Sequence, residues 1–184
     1  MKRPALTLIL ASALLVLAAS CSKESTKLIF ANQEKRIETF VNNTIAADET
    51  GTAHLVTNGG VKRLVLSEGE GEELASGGSV TFYYAGFLLT STSISMSNLF
   101  ATNIAEVAEK AGWSLSAEDT FEPVTEKLPG NLVNGLRKGL KGVKAGETCY
   151  IVFSGEYGFG DKQVGAIPGN SALAYYVQVT NVQN

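Results

Sequence analysis

The stretch Asn134-Gly-Leu-Arg-Lys-Gly-Leu-Lys-Gly-Val-Lys-Ala-Gly-Glu147, continued by Thr148-Cys-Tyr-Ile-Val-Phe153, Gly155-Glu-Tyr-Gly-Phe-Gly160 and Ala166-Ile-Pro-Gly-Asn-Ser-Ala-Leu173, decides the fold. Across Asn131 to Leu140 the apolar residues Leu132, Val133, Leu136 and Leu140 share one side, which predicts a short helix burying a narrow stripe. Gly135 and Gly139 stand at GxxxG spacing, which in a short soluble helix predicts close packing on a sheet rather than membrane dimerisation. Lys144-Ala-Gly-Glu147 reads as a turn, Thr148 to Phe153 as a strand, and Ala172 to Val179 as a final strand. A Gly/aromatic loop and an Ile-Pro turn lie between the two strands.

Upstream, Ser79 to Leu89 is rich in Val, Phe, Tyr and Thr and is the clearest strand in the chain, with Tyr84-Ala-Gly86 in its second half. Ala53 to Val56 and Val61 to Leu66 read as two strands joined by the Asn58-Gly-Gly60 turn. Between about 90 and 130 the pattern weakens: a Ser/Thr-rich loop at Ser91 to Ser97, a short helix at Ile104 to Ala111, and another loop at Trp113 to Asp119, together an enlarged loop. Near the start, Phe30, Ile37, Val41 and Ile45 form a helical stripe within Leu28 to Ala46.

The first residues carry a different signal. Lys2 and Arg3 precede an apolar run, Leu6 to Ala19, too short to span a bilayer comfortably, and Leu17-Ala-Ala-Ser-Cys21 matches the cleavage and lipidation pattern of a bacterial lipoprotein. The expected organisation is a signal peptide at 1–20, a polar tether (Ser22 to Thr26) and helical extension within 21–59, and a domain at 60–184. Cys21 would carry the lipid and place the chain at the cell envelope. Removing the two positive charges of Lys2 and Arg3 takes the net charge from −3 to −5, and an acidic chain without a basic cluster argues against nucleic acid as a partner. With Cys21 lipidated, Cys149 has no partner for an internal disulfide and reads as a small buried hydrophobe. His54 is the single histidine, which disfavours Cys-His or Ser-His-Asp catalysis and histidine metal sites.

In their order, Tyr-x-Gly, short helix, Ala-Gly-Glu, Tyr-Gly-Phe-Gly and Ile-Pro resemble the FKBP-type peptidyl-prolyl isomerases over about Gly60 to Val182. The resemblance implies an α+β fold, a curved antiparallel sheet wrapped around one short helix. It also implies cis–trans isomerisation of X-Pro bonds in proline-containing clients, without metal or organic cofactor. By the same resemblance Tyr84, Phe100, Val133, Phe159 and Ile167 fall at catalytic pocket positions, with Leu132, Leu136, Tyr175 and Ala101 contacting substrate. Leu132 and Val133 correspond to the pair opening the pocket-floor helix, and main chain near Val133 is expected to donate to the substrate.

Three positions depart from the family pattern: Ala101 stands where the family carries Asp, Phe159 lacks the hydroxyl of the loop Tyr, and Leu136 replaces an aromatic floor. These departures leave an alternative reading open, an FKBP-like binding module (chaperone or envelope adaptor) with little or no catalysis.

Overall fold

No glycine or proline interrupts the chain between Ala5 and Ala46, and these residues form one helix, α1 (Ala5–Ala46). The computed structural model describes residues 5–116 and 118–184, with side chains from residue 24 onward. Lys2 and Arg3 of the expected signal lie outside the described residues, as do the side chains of Leu6 to Ala19 and Cys21. The helix runs through 22–26, where a tether was expected, because once a helix has formed, polar residues without a breaker extend it at little cost. Among the described residues no helix is long and apolar enough to cross a membrane.

The rest of the chain builds an antiparallel sheet from β1 (His54–Asn58), β2 (Val61–Ser67), β3 (Ser79–Leu88), β4 (Leu99–Thr102), β5 (Val124–Lys127), β6 (Thr148–Phe153) and β7 (Leu173–Gln183). The path is β1-β2-β6-β7-β3-β4, with β5 also pairing β3. Gly59 and Gly60, both at positive φ, turn β1 into β2, so the sheet starts ahead of residue 60.

Period-two alternation gives the sheet two apolar faces. One carries Val61, Val80, Phe82, Cys149, Ile151, Phe153, Leu173, Tyr175 and Val177 and is covered by the short helix α3 (Asn134–Leu140). The other carries Leu64, Leu89, Val152 and Ala174 and is covered by Ile37, Phe40 and Val41 of α1. The expected N-terminal helix therefore packs on its own sheet. Lys62 adds ion pairs to Glu34 (3.4 Å) and Glu38 (3.6 Å) along its edge.

The expected close approach of the Gly135/Gly139 helix is explained by sterics. A Cβ at Gly135 would stand 2.3 Å from the Phe153 ring, and one at Gly139 2.2 Å from Ile151. α3 begins at Asn134, so Leu132 and Val133 precede it, Val133 as its N-cap. Its C-terminal carbonyls are capped by a residue that no motif revealed. Arg63 of β2, on the α3 face, donates to the carbonyls of Gly139 (3.2 Å), Lys141 (2.9 Å) and Gly142 (3.2 Å). Its Nε lies 3.3 Å from Oε1 of Glu147, whose carboxyl burial pushes above its ordinary range against the pull of Arg63. Cys149 is fully buried, as expected, and burial followed by the Glu147 charge holds its thiol protonated.

The segment at 90–130 is more structured than an enlarged loop. β4 and β5 both pair with the free edge of β3, and α2 (Ala105–Lys110) links them. Where β4 leaves and β5 has not begun, buried Asn103 fills the gap. Its Oδ1 accepts from the Tyr84 N–H (2.5 Å), and its Nδ2 donates to the carbonyls of Phe82 (3.4 Å) and Glu122 (2.9 Å). A side-chain amide thus stands in for a missing stretch of ladder, which is why propensity alone did not show these two four-residue strands.

Candidate functional site

α3 is too short to cover the whole face on which it lies. Beyond its N-terminus the sheet leaves a cavity of about 290 Å³, walled by Phe82, Tyr84 and Tyr175 from the sheet, Phe100 and Ala101 from β4, Val124 and Glu126 from β5, Asn131 to Val133 and Leu136 around the helix start, and Phe159 from the β6–β7 loop. Eight of the nine residues expected at the pocket are therefore brought together: Tyr84, Phe100, Ala101, Leu132, Val133, Leu136, Phe159 and Tyr175. Ile167 is not in this lining. It is a buried residue (6 % exposed) of the same β6–β7 loop, in the core cluster and bridged to Val164.

Tyr175 is the centre of the aromatic wall. Its ring stacks on Phe153 (5.9 Å, 17° between planes), meets Phe100 edge-on (5.7 Å, 81°) and tilts against Tyr84 (6.3 Å). Burial, and then the neighbouring Tyr84, hold the Tyr175 phenol well above the ordinary tyrosine range, so it remains a neutral donor. Gly86 makes the Phe100 contact possible, since a Cβ there would stand 2.6 Å from the Phe100 ring and 3.2 Å from that of Tyr175. This is the physical content of the Tyr84-Ala-Gly86 strand segment.

Two sets of hydrogen bonds fix the walls. Tyr84 is held through its main chain: its carbonyl accepts from Thr102 Oγ1 (2.8 Å) and from the Asn103 N–H (3.1 Å). The β6–β7 loop is tied to α3 by the Gly135 N–H donating to the Tyr157 carbonyl (2.8 Å). It is tied to α1 by Gln33, whose Oε1 accepts from the Gly155 N–H (2.8 Å) and whose Nε2 donates to the Asn170 carbonyl (2.5 Å). Gln33 is itself buried, and so the helix on the far face of the sheet braces the loop that presents Phe159. At the helix start the Val133 carbonyl accepts from Arg137 N–H (3.0 Å).

Sequence reasoning missed Phe82, Val124, Glu126 and Asn131. Phe82 was recoverable, since it stands two residues before Tyr84 and so on the same face of β3. Val124 and Glu126 sit in a strand too short to show a period. Chemically, the cavity offers an apolar aromatic enclosure with a neutral phenol, the Glu126 carboxylate and main-chain groups at its edge.

A model of the FKBP-type peptidyl-prolyl cis-trans isomerase family matches residues 70–180, more than half of the chain. The chain is 25% identical over 128 residues to FK506-binding protein 1 of Aspergillus oryzae, an alignment covering 67% of this chain and 98% of that protein. It is 25% identical over 129 residues to the FKBP-type peptidyl-prolyl cis-trans isomerase FkpA of Buchnera aphidicola, covering 70% of this chain and 43% of that relative, so it spans less than half of the latter. The crystal structure of FkpA from Escherichia coli superposes with a TM-score of 0.56 at 20% identity, covering 100% of this chain and 74% of that one, which is a likeness of fold. With its curved antiparallel sheet, its aromatic cavity and this match, the chain belongs to the FKBP-type peptidyl-prolyl cis-trans isomerase family.

Proposed function

We propose that this protein isomerises X-Pro bonds of exported proteins in the cavity between α3, β4 and β5, held at the cell envelope by a lipid on Cys21. The observation that carries the catalytic part is the convergence of Tyr84, Phe100, Leu132, Val133, Leu136, Phe159 and Tyr175 on one half-enclosed aromatic space. The envelope part rests on Leu17-Ala-Ala-Ser-Cys21.

The amide barrier is about 20 kcal/mol because resonance keeps the peptide bond planar. Twisting it breaks that resonance and reduces the charge separation between oxygen and nitrogen. An apolar cavity therefore favours the twisted form over the planar one, while hydrogen bonds to flanking peptide groups hold the ends. The rings of Tyr84, Phe100, Phe159 and Tyr175 would enclose the prolyl ring, with Leu136 as its floor. Main chain at the start of α3, near Val133, would donate to a substrate carbonyl. Ile167 would act from the core cluster, keeping the loop that it shares with Phe159 packed. No covalent bond is made or broken, so no nucleophile or general base is required.

A second reading, a binding module with weak catalysis, is favoured by one specific feature: Ala101 lines the cavity without the carboxylate, and Phe159 without the hydroxyl, that the family pattern places there. One or two missing hydrogen bonds correspond to about 1–3 kcal/mol, or roughly tenfold to a hundredfold in rate. The discriminating experiment is isomerisation of a panel of X-Pro peptides by residues 22–184, by Tyr84→Ala and by Ala101→Asp. Acceleration that falls with Tyr84→Ala establishes the enzyme. A folded protein that accelerates nothing, with or without the restored Asp, leaves the binding module.

A further inference from the structure

Glu126 is the single charged residue in the cavity lining. Its direction follows from strand register: Val124 and Glu126 are half-buried while Thr125 and Lys127 are exposed, and Glu126 pairs with Val80 and Val124 with Phe82, both of which belong to the α3 face. The Thr81 and Thr125 hydroxyls meet at 2.9 Å on the opposite side of the ladder. The carboxylate therefore lies on the cavity side, its Oε2 3.3 Å from where a Cβ on Gly130 would stand. Among the described residues the ion pairs are those of His54, Lys62, Arg63 and Lys144, and none of them involves Glu126.

The charge distribution is thus displaced relative to the family pattern. The β4 wall has Ala101 where the family pattern has a carboxylate, and the β5 wall carries one at Glu126 that, among the described residues, is in no ion pair. A lone negative charge at the rim of a low-dielectric enclosure raises the local concentration of cations and pairs with one held beside it.

We propose that Glu126 sets substrate preference, selecting X-Pro segments that carry Lys or Arg next to the proline and disfavouring those with Asp or Glu there. The proposal rests on the isomerase reading and deepens it by naming the substrate class. A half-exposed pair of this kind corresponds to a preference of about three- to tenfold, shrinking as salt rises.

The test measures kcat/KM of the full chain for matched tetrapeptides with Lys, Leu or Glu before proline, and for the same set with the variable residue after it. Glu126→Gln and Glu126→Lys are run in parallel, and affinities are read separately by NMR titration. The expected result is the order Lys > Leu > Glu in one of the two sets, a Lys/Leu ratio that collapses toward one in Glu126→Gln, and reversal of the order in Glu126→Lys. Turnover of the Leu peptides with no charge order, or with an order unmoved by Glu126→Lys, overturns the proposal and leaves the isomerase reading standing. Absence of turnover on every peptide overturns the isomerase reading instead. The titrations then decide: a charge order in affinity that reverses in Glu126→Lys sustains the preference as one of binding, and its absence ends it.

Discussion

The two faces of the sheet are covered in opposite ways. On one face the long helix α1 closes the surface, with Ile37, Phe40 and Val41 sunk among Leu64, Leu89, Val152 and Ala174. On the other, the short helix α3 lies close on β6 through Gly135 and Gly139, and beyond its N-terminus a cavity stays open against the aromatic rows of β3 and β7. The closed face gives stability. The incompletely covered face leaves Tyr84, Phe100 and Tyr175 with contacts still to make, and a ligand can make them. The general lesson is that a site arises here from a deliberate shortage of covering helix rather than from a reactive residue.

If the faces divide their labour in this way, Ile37→Ala should lower stability by about 2–5 kcal/mol, as expected for truncating a fully buried side chain. Urea denaturation would show the loss, while kcat/KM per folded molecule should be unchanged. Gln33→Ala should break the division. It removes a buried hydrogen bond to the loop at Gly155 and a partly buried one at Asn170, costs about 1–3 kcal/mol, and should also lower kcat/KM several-fold because Phe159 loses its brace.

Asn103→Ala should act similarly from the open face, destabilising by about 1–3 kcal/mol through the unpaired Phe82 and Tyr84 main chain. Its effect on kcat/KM should exceed that of any α1 core truncation, since Tyr84 moves with it. The smallest effect concerns pH. With the Tyr175 phenol held neutral above the ordinary tyrosine range, it does not ionise as the pH rises from about 7 to 9, so kcat/KM should stay flat across about pH 7–9. A decline between about pH 7 and pH 9 would show that the Tyr175 phenol is not held neutral.

Most of the frame was legible in the sequence. β3, β6 and β7 declare themselves through β-branched and aromatic runs, and the turn at Gly59–Gly60 through its residues. The stripe of α3 and its glycines also gave the packing partner in outline, although Leu132 and Val133 proved to precede the helix. What was not legible depends on tertiary pairing. β4 and β5 are four residues each and exist because the edge of β3 and the Asn103 amide receive them. Glu126 could not be read as a wall residue without that register, and Arg63 looks like any strand cation until the carbonyls at the end of α3 are placed beside it. Ile167 shows the converse case: the Ile-Pro turn marks a residue that shares the core cluster of Leu136 and Tyr175 without standing in the cavity lining.

The central claim, that isomerisation takes place on the open face, is tested most directly by following cis–trans exchange of an X-Pro peptide with the wild-type protein, Phe100→Ala and Ile37→Ala, all at a temperature where each is folded. The account predicts acceleration by wild type, a drop of roughly tenfold or more for Phe100→Ala, and retention of the wild-type rate by Ile37→Ala despite its lower melting point. No acceleration by folded wild type, or equal loss in both variants, would contradict it.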